Sequence, residues 1–312
     1  MKIESRRNYK FLIAIAFASL FIFAIATALL FVFRKMYLEN KVENKTYFMI
    51  LFAIFVYGII VNLIYTYTKY TKKIILDEHK ISFGKSDYRW ENVKEIMLTG
   101  KKSFGFFNSQ IEATTITFED NSRRYIFDDI FSNGWEIKSF IKNVIVDKNE
   151  NKAPIENVIL EKDIQKEIFY TYAGNPIFSF RGIMMWSLII FFLYLGFSSG
   201  EKMSLSKKLY VFIPISLFWF LANAYSTDYF EVSKNYLVVK NHYFFWKKNI
   251  FRLTDIEEVV FETYSKQANI LRVITKDFKR KLYRAGTLKD STWLELKHDL
   301  EKKNIIVRNE CI

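Results

Sequence analysis

The chain has 312 residues, of which 51% are hydrophobic, 18% aromatic and 25% charged. Because both apolar and charged contents are high, the apolar residues must be concentrated in segments, and 3 Pro with 10 Gly argue against long disordered linkers. The net charge of +13 fits a membrane protein whose basic side chains face anionic lipid, and we do not predict nucleic-acid binding from it.

Uncharged windows along the chain predict transmembrane helices. A helix rises about 1.5 Å per residue and the apolar core of a bilayer is about 30 Å thick, so windows of this length can span it. Ala24-Ile25-Ala26 resembles a signal-peptide cleavage site, but apolar residues continue to Phe33 and favour an uncleaved anchor. The four windows are residues 11–33, 46–68, 182–200 and 209–227.

Each pair of windows predicts a helical hairpin, and a polar region follows each hairpin. In the first polar region, the turn Asp77-Glu78-His79 separates two β-hairpin strands, and Trp135 lies in a helix that Ser132 or Asn133 caps. The predicted strands of this region are 73–76, 80–83, 93–98, 114–118 and 123–127.

The second polar region repeats this pattern. Its predicted strands are 229–232, 236–240, 256–262, 270–275 and 281–283, and its helix carries Trp293. Residues 90–96 correspond to residues 253–259 at the same place in the order, so we predict an internal repeat. The predicted segments are a hairpin at 1–68, a polar domain at 69–147, an amphipathic connector at 148–181, a hairpin at 182–227 and a polar domain at 228–312.

The step Trp90-Glu91-Asn92-Val93-Lys94-Glu95-Ile96, between strands that precede a C-terminal helix, resembles bacterial pleckstrin-homology-like (PH-like) domains. The whole layout resembles bacterial membrane proteins that join such domains to transmembrane hairpins. The resemblance implies a membrane α-helical protein, with four transmembrane helices in two hairpins, plus two α+β PH-like domains. Each domain would be a bent antiparallel sheet with a C-terminal helix, and the family shares no catalytic residues. Leu253 replaces Trp90 in the second copy.

Residues that commonly carry catalysis are sparse in the sequence. His79, His242 and His298 are predicted on solvated surfaces, and the sequence has no metal-ligand spacing, no phosphate-binding glycine loop and no serine elbow. We therefore predict a protein that is not an enzyme, with no cofactor and no metal.

The predicted spans contain no charged residue and no histidine, whereas ion-coupled carriers usually place ionisable groups inside the membrane. Asn62 and Asn223 are the main intramembrane polar residues, and a helix–helix hydrogen bond is their simplest role, with ligand or lipid contact as the alternative. Pro214 is expected to kink the fourth helix. The alternative function is a transporter or channel component whose path is lined by the second and fourth helices.

Basic clusters are the candidate contacts for membrane lipids or for a protein partner, because a basic group near an anionic membrane gains about 1 kcal/mol. An ordinary solvated turn is the other interpretation of each cluster. The candidates are Lys101, Lys102, Arg123, Arg124, Lys247, Lys248, Lys279, Arg280, Lys281 and Arg284. The leading hypothesis is a protein whose duplicated domains bind anionic lipid or an unidentified protein, with a homo-oligomer left open.

Basic residues after the second span (Lys69, Lys72 and Lys73) favour both termini in the cytoplasm, for a multi-pass protein of the cell inner (cytoplasmic) membrane. The single cysteine, Cys311, agrees with a reducing compartment. Between the two polar regions, residues 153–180 alternate charged and apolar residues at helical spacing and end in Phe169-Tyr170-Thr171-Tyr172. This pattern predicts either an amphipathic helix at the membrane interface or a connector docked on the first domain.

Overall fold

Two units make up the chain, and each joins apolar helices to antiparallel β-sheets. The computed structural model describes residues 2–104, 109–147, 164–197, 204–263 and 268–311. Unit 1 is Met1–Pro154 and unit 2 is Ile155–Ile312, so the boundary falls inside the segment predicted as the connector. A mixed helix and sheet protein is what the sequence predicted at the level of fold class.

Unit 1 contains the helices α1 (Tyr9–Leu38) and α2 (Phe48–Tyr70). Both are long and apolar enough to span a membrane, as predicted. Helix α1 continues past its predicted window to include Arg34 and Lys35.

Small residues bring the two helices of this hairpin together. Ala26 and Ala53 are fully buried between them. Beside this contact, Thr27 Oγ1 lies 3.1 Å from Tyr57 Oη, so one hydrogen bond joins α1 to α2. The sequence analysis did not predict this pair of residues for a hydrogen bond between helices.

The polar part of unit 1 consists of two sheets and a short helix. The first sheet has the order β1-β2-β3-β4, and the second has β7 at its centre, paired with β5, β6 and β8. The strands are β1 (Ile3–Glu4), β2 (Ile74–Leu76), β3 (Lys80–Phe83), β4 (Ser86–Arg89), β5 (Val93–Met97), β6 (Lys101–Phe104), β7 (Ser109–Phe118) and β8 (Arg123–Phe127). Helix α3 (Gly134–Phe140) continues as a π-helix over Ile141–Val146 and buries Ile137 against Ile116 and Phe127.

The chain before the hairpin of unit 1 pairs with the chain after it. In the antiparallel pair β1–β2, Ile3 lies opposite Leu76 and Glu4 opposite Ile75. Asn133, which is only 2% exposed, accepts a hydrogen bond from the Arg6 N–H and donates one to the Glu4 carbonyl. Asn133 is the N-cap residue of α3, one of the two predicted positions, but its side chain makes no capping hydrogen bond because it holds the N-terminal segment.

Unit 2 contains the helices α4 (Phe180–Phe197) and α5 (Leu205–Ala224). Helix α4 is long and apolar enough to span a membrane, whereas the apolar part of α5 is the shorter stretch Leu209–Ala224. Pro214 lies inside α5, and the expected kink stays a prediction. The predicted fourth window ran to Thr227, but α5 ends at Ala224 because the chain turns there into a strand that begins at Asp228.

The polar part of unit 2 has two four-stranded sheets, with the orders β12-β11-β10-β9 and β15-β14-β13-β16. Its strands are β9 (Tyr170–Tyr172), β10 (Asp228–Val232), β11 (Tyr236–Asn241), β12 (Lys248–Arg252), β13 (Ile256–Glu262), β14 (Ile270–Thr275), β15 (Arg280–Arg284) and β16 (Ile306–Asn309). Helix α6 (Asp290–Lys302) buries Trp293 completely, with its ring 5.5 Å from Phe230 and 5.0 Å from Phe261.

The chain before the hairpin of unit 2 also pairs with the chain after it. Strand β9 is antiparallel to β10, with Tyr172 opposite Phe230. Next to β9, the backbone of Gly174 lies so close to residue 287 that a Cβ at this position would be 1.8 Å from the Thr287 carbonyl oxygen. Only glycine allows this approach.

The aromatic segment Phe169-Tyr170-Thr171-Tyr172 was predicted to end either an amphipathic helix or a connector docked on the first domain, and the first alternative is wrong for residues 170–172. Residues 170–172 form a strand because their backbone groups pair with β10. The other predicted connector residues at 148–163 lie outside the residues that the structure describes.

The first testable consequence concerns Asn133. We expect Asn133→Ala to lower the free energy of unfolding by about 1–3 kcal/mol, because it leaves the Arg6 N–H and the Glu4 carbonyl without their partner. Thermal unfolding of the purified full chain in detergent measures this loss. Asn92→Ala, at an exposed position, is the matched control. Equal melting temperatures for the two variants would contradict this role of Asn133.

Candidate functional site

A cavity of about 310 Å³ in unit 1 lies where α2 ends and the sheets begin. It brings together two of the predicted contact residues, Arg123 and Arg124 of β8, with two lysines from the end of α2 and the segment after it. We call it the basic cavity. Its lining residues are Lys69, Tyr70, Lys72, Ile74, Phe83, Ser86, Arg123, Arg124 and Tyr125.

Tyr88 orients one of the cations of the basic cavity. The guanidinium of Arg124 lies over the Tyr88 ring, 5.3 Å from its centroid. Both Nη2, at 2.6 Å, and Nε, at 3.2 Å, donate to the Tyr88 hydroxyl. The Tyr88 ring is itself stacked on Phe118 at 4.5 Å. Arg124 is therefore held in place by contacts that do not neutralise its charge.

Lys69 and Lys72 were not among the predicted contact residues of the sequence. Lys69 lies in the last turn of α2, with its ammonium 5.4 Å from the centre of the Tyr70 ring, and Lys72 is exposed just beyond the helix. The signal that could have identified them is their position directly after an apolar span, which the sequence reading used only for orientation.

An aromatic loop, residues 243–246 between β11 and β12, runs beside the helices of unit 2. The Tyr243 hydroxyl donates to the Pro176 carbonyl at 3.0 Å and accepts from the Trp186 indole N–H of α4 at 3.2 Å. Phe245 and Trp246 at the end of this loop are 86% and 68% exposed. Two large aromatic side chains are thus exposed at the side of an apolar helix.

Lys247, a predicted lipid contact, is used inside the fold. Its ammonium lies 2.8 Å from Oδ1 and 2.9 Å from Oδ2 of Asp228, which is 1% exposed, and 4.3 Å from the centre of the Tyr225 ring. Burial raises the pKa of Asp228, and hydrogen bonds from Lys247 and Asn241 oppose that rise. The Lys247 ammonium therefore forms an ion pair with a buried carboxylate.

Of the three histidines, His242 differs from its prediction. Its ring is half-buried and lies 4.7 Å from the Tyr229 ring, whereas His79 and His298 are exposed as predicted. Burial lowers the pKa of His242, and a hydrogen bond with the Gly174 backbone partly offsets this effect.

Most other predicted contact residues lie on strands and at turns of the two units. Lys279 forms an ion pair with Asp277 at 2.9 Å, and the Lys281 ammonium donates to Asn249 Oδ1 at 2.9 Å. In unit 1, the predicted contacts Lys101 and Lys102 are not among the residues that line the basic cavity. Lys101 and Lys102 lie on β6, Lys248 on β12, and Arg280 and Arg284 on β15.

The two intramembrane asparagines make hydrogen bonds within their own helices. Thr66 Oγ1 donates to Asn62 Oδ1 at 3.5 Å in α2, and Asn223 Nδ2 donates to the Trp219 carbonyl at 2.9 Å in α5. The hydrogen bonds of these two residues therefore lie within one helix, and the predicted hydrogen bond between helices is wrong for both.

Within the described ranges, no group of three or more His, Cys, Asp or Glu side chains is arranged to hold a metal ion. No protein-family model matches the sequence, and a comparison with curated proteins finds no similar chain. The function must therefore be argued from the geometry of the two units.

His242 gives a pH prediction. Because its pKa in the folded state is lowered, the unfolded chain binds a proton more readily, and stability falls as the pH drops below about 6.5. We expect His242→Phe, which retains a ring against Tyr229, to reduce the loss of melting temperature between about pH 7.5 and pH 5.5. His79→Phe controls for removal of one exposed imidazole. An unchanged pH dependence in His242→Phe would contradict this assignment.

Proposed function

We propose that the chain is a non-enzymatic integral membrane protein that binds anionic lipid or a protein partner through two membrane-proximal PH-like domains. In this proposal four transmembrane helices form two hairpins in the inner membrane, and both termini and both domains face the cytoplasm.

The observation that carries the proposal is the closing strand pair of each unit, β1–β2 in unit 1 and β9–β10 in unit 2. A strand on each side of the hairpin pairs directly next to the helix ends, so the sheet begins where the apolar segment ends. A domain attached at both ends in this way is held at the membrane surface. Binding at that surface is the function that this geometry supports best.

The element order of the two units supports a duplication. Each unit runs through a short strand, two apolar helices, three antiparallel strands, a 3₁₀ turn, a second sheet and a helix. In unit 2 this helix is followed by β16, which pairs parallel with β13. The 3₁₀ turns are Trp90–Asn92 and Leu253–Asp255, which are the two segments that corresponded in sequence. The Trp90 indole donates to the Asp77 carbonyl at 2.8 Å, while Leu253 is buried in the core of unit 2.

Two sheets followed by a helix also fit the PH-like proposal for both domains. Unit 2 departs from the predicted antiparallel sheet with a C-terminal helix, because β16 follows the helix and pairs parallel with β13. Helix α5 fits the role of fourth span, because its 20 residues correspond to about 30 Å of helix.

The aromatic loop supports a shallow contact of unit 2 with the bilayer. Trp186 is the seventh residue of α4 (Phe180–Phe197), so its bond to Tyr243 places the loop about 9 Å along the helix from its start. Exposed Trp and Phe side chains at that depth are favoured at a membrane interface.

The depth of the aromatic loop can be measured by spin labelling. In a Cys311→Ser background, which removes the single cysteine, we expect a nitroxide at Phe245→Cys to collide more with oxygen than with a water-soluble nickel complex in nanodiscs. Lys234→Cys is the matched control, since it is exposed at the turn before β11 whereas the aromatic loop follows β11. Equal nickel accessibility at the two sites would refute the membrane contact.

Binding at the membrane surface is tested on the full chain in nanodiscs. Hydrogen exchange is compared between phosphatidylcholine alone and mixtures with phosphatidylglycerol, and a photo-crosslinking residue at Lys281 is used in cells. We expect anionic lipid to slow exchange in the domains, or the crosslinker to give one reproducible protein adduct. If neither result is obtained, the proposed function is wrong.

A further inference from the structure

We propose that the basic cavity of unit 1 is a binding site for a phosphate group, and that its ligand is the headgroup of an anionic phospholipid. This inference rests on the proposed function, because it names the ligand of one membrane-proximal domain.

The charge of the lining selects an anion. Lys69, Lys72, Arg123 and Arg124 line the cavity, and none of its lining residues is acidic. Within the described residues, no ion pair joins any of the four to a carboxylate. Asp120, outside the lining, is held mainly by Ser122, whose hydrogen bonds lower its pKa, and the charge of Arg124 contributes less. Four cations around one cavity repel each other until an anion enters.

The donors suit a phosphate. Arginine offers a planar set of N–H donors that matches phosphate oxygens, while lysine provides a point charge. Arg124 is fixed by the Tyr88 hydroxyl and ring, so little side-chain entropy is lost when it binds. Ser86 adds a hydroxyl to the lining.

The position of the cavity suits a lipid headgroup. Lys69 and Tyr70 are the last residues of α2, and the candidate span Tyr47–Tyr70 ends at the same place. The cavity therefore opens at the depth where an apolar helix meets water, which is where the phosphates of a bilayer lie.

Apolar side chains favour a lipid over a free phosphate ion. Ile74, Phe83, Tyr70 and Tyr125 share the cavity with the four cations. A volume of about 310 Å³ is at the lower end of the range for small-molecule sites. Such a lining accommodates a phosphate together with its glycerol stem. A second cavity, in unit 2, does not have a lining whose charges are all positive, because its lining includes Glu257.

The test measures binding of dihexanoyl phosphatidylglycerol, dihexanoyl phosphatidylcholine and glycerol phosphate to the full chain in detergent. The variant Lys69→Gln/Lys72→Gln/Arg123→Gln removes three exposed cations of the lining. Its matched control, Lys85→Gln/Arg89→Gln/Lys94→Gln, removes three exposed cations of unit 1 that do not line the cavity. Melting temperatures verify that both variants fold.

We expect phosphatidylglycerol to bind at least tenfold more tightly than phosphatidylcholine. The cavity variant should lose about a hundredfold in that affinity, at about fivefold per cation, and the control variant little. Tyr88→Phe keeps every charge and the ring but frees Arg124, so a several-fold loss is expected and would exclude a purely non-specific charge effect.

The outcomes separate the two proposals. If glycerol phosphate binds as tightly as phosphatidylglycerol and the cavity variant abolishes both, the site is a phosphate site whose ligand is soluble, and the lipid assignment is overturned. If phosphatidylglycerol binds but both triple variants lose affinity equally, the basic cavity is not the site while the proposed function survives. If no anionic ligand binds and nanodisc exchange is also unchanged, lipid binding fails altogether.

Discussion

Pairing of backbone groups across the ends of each hairpin is the constraint on which both units depend. Backbone N–H and C=O groups leaving an apolar helix must find partners immediately. In unit 1, β1 and β2 provide them, and Asn133 secures the same segment with two side-chain hydrogen bonds. In unit 2, β9 and β10 pair, and Gly174 allows a close backbone approach to Thr287. Because backbone hydrogen bonds hold each sheet to its hairpin, the side chains at this junction can differ between the two units.

Buried charges show how much of the basic content is structural. Lys138 and Asp128 are 2.8 Å apart and almost fully buried, and Arg272 makes a two-pronged contact with Glu262. Such pairs are costly to desolvate, so each partner requires the other in place. Lys247 with Asp228 follows the same logic. The net charge of +13 therefore does not measure what is available to a ligand, and only the cations around an unneutralised cavity can be counted for binding.

The sequence was most informative where periodicity is strong. Residues 123–127, 256–262 and 270–275 were predicted as strands with the bounds that the structure has. Strands β1 and β9 were not predicted, because they are short and pair with partners that are distant in sequence. Strands β4 and β12 were also not predicted, although each pairs with the strand directly before it. The lining of the basic cavity could not be predicted from the sequence either, because its cations come from distant parts of the chain. Arg123 and Arg124 were predicted as contacts, but Lys69 and Lys72 lie over 50 residues earlier. Proximity of that kind follows from tertiary pairing and not from local pattern.

The lysines at the end of α2 connect the topology of the hairpin to binding. Cations directly after a span favour the cytoplasmic side during insertion, so their presence at Lys69 and Lys72 needs no ligand to explain it. Folding of β2 and β8 then places Arg123 and Arg124 beside them, and like charges that were separated in the unfolded chain now share one cavity. This convergence costs free energy, and the cost is relieved only when an anion occupies the cavity. A phosphate bound there would therefore stabilise the folded unit by RT ln(1 + [L]/Kd), where [L] is the free concentration of the phosphate ligand, so a membrane that supplies this phosphate would also stabilise the domain attached to the hairpin.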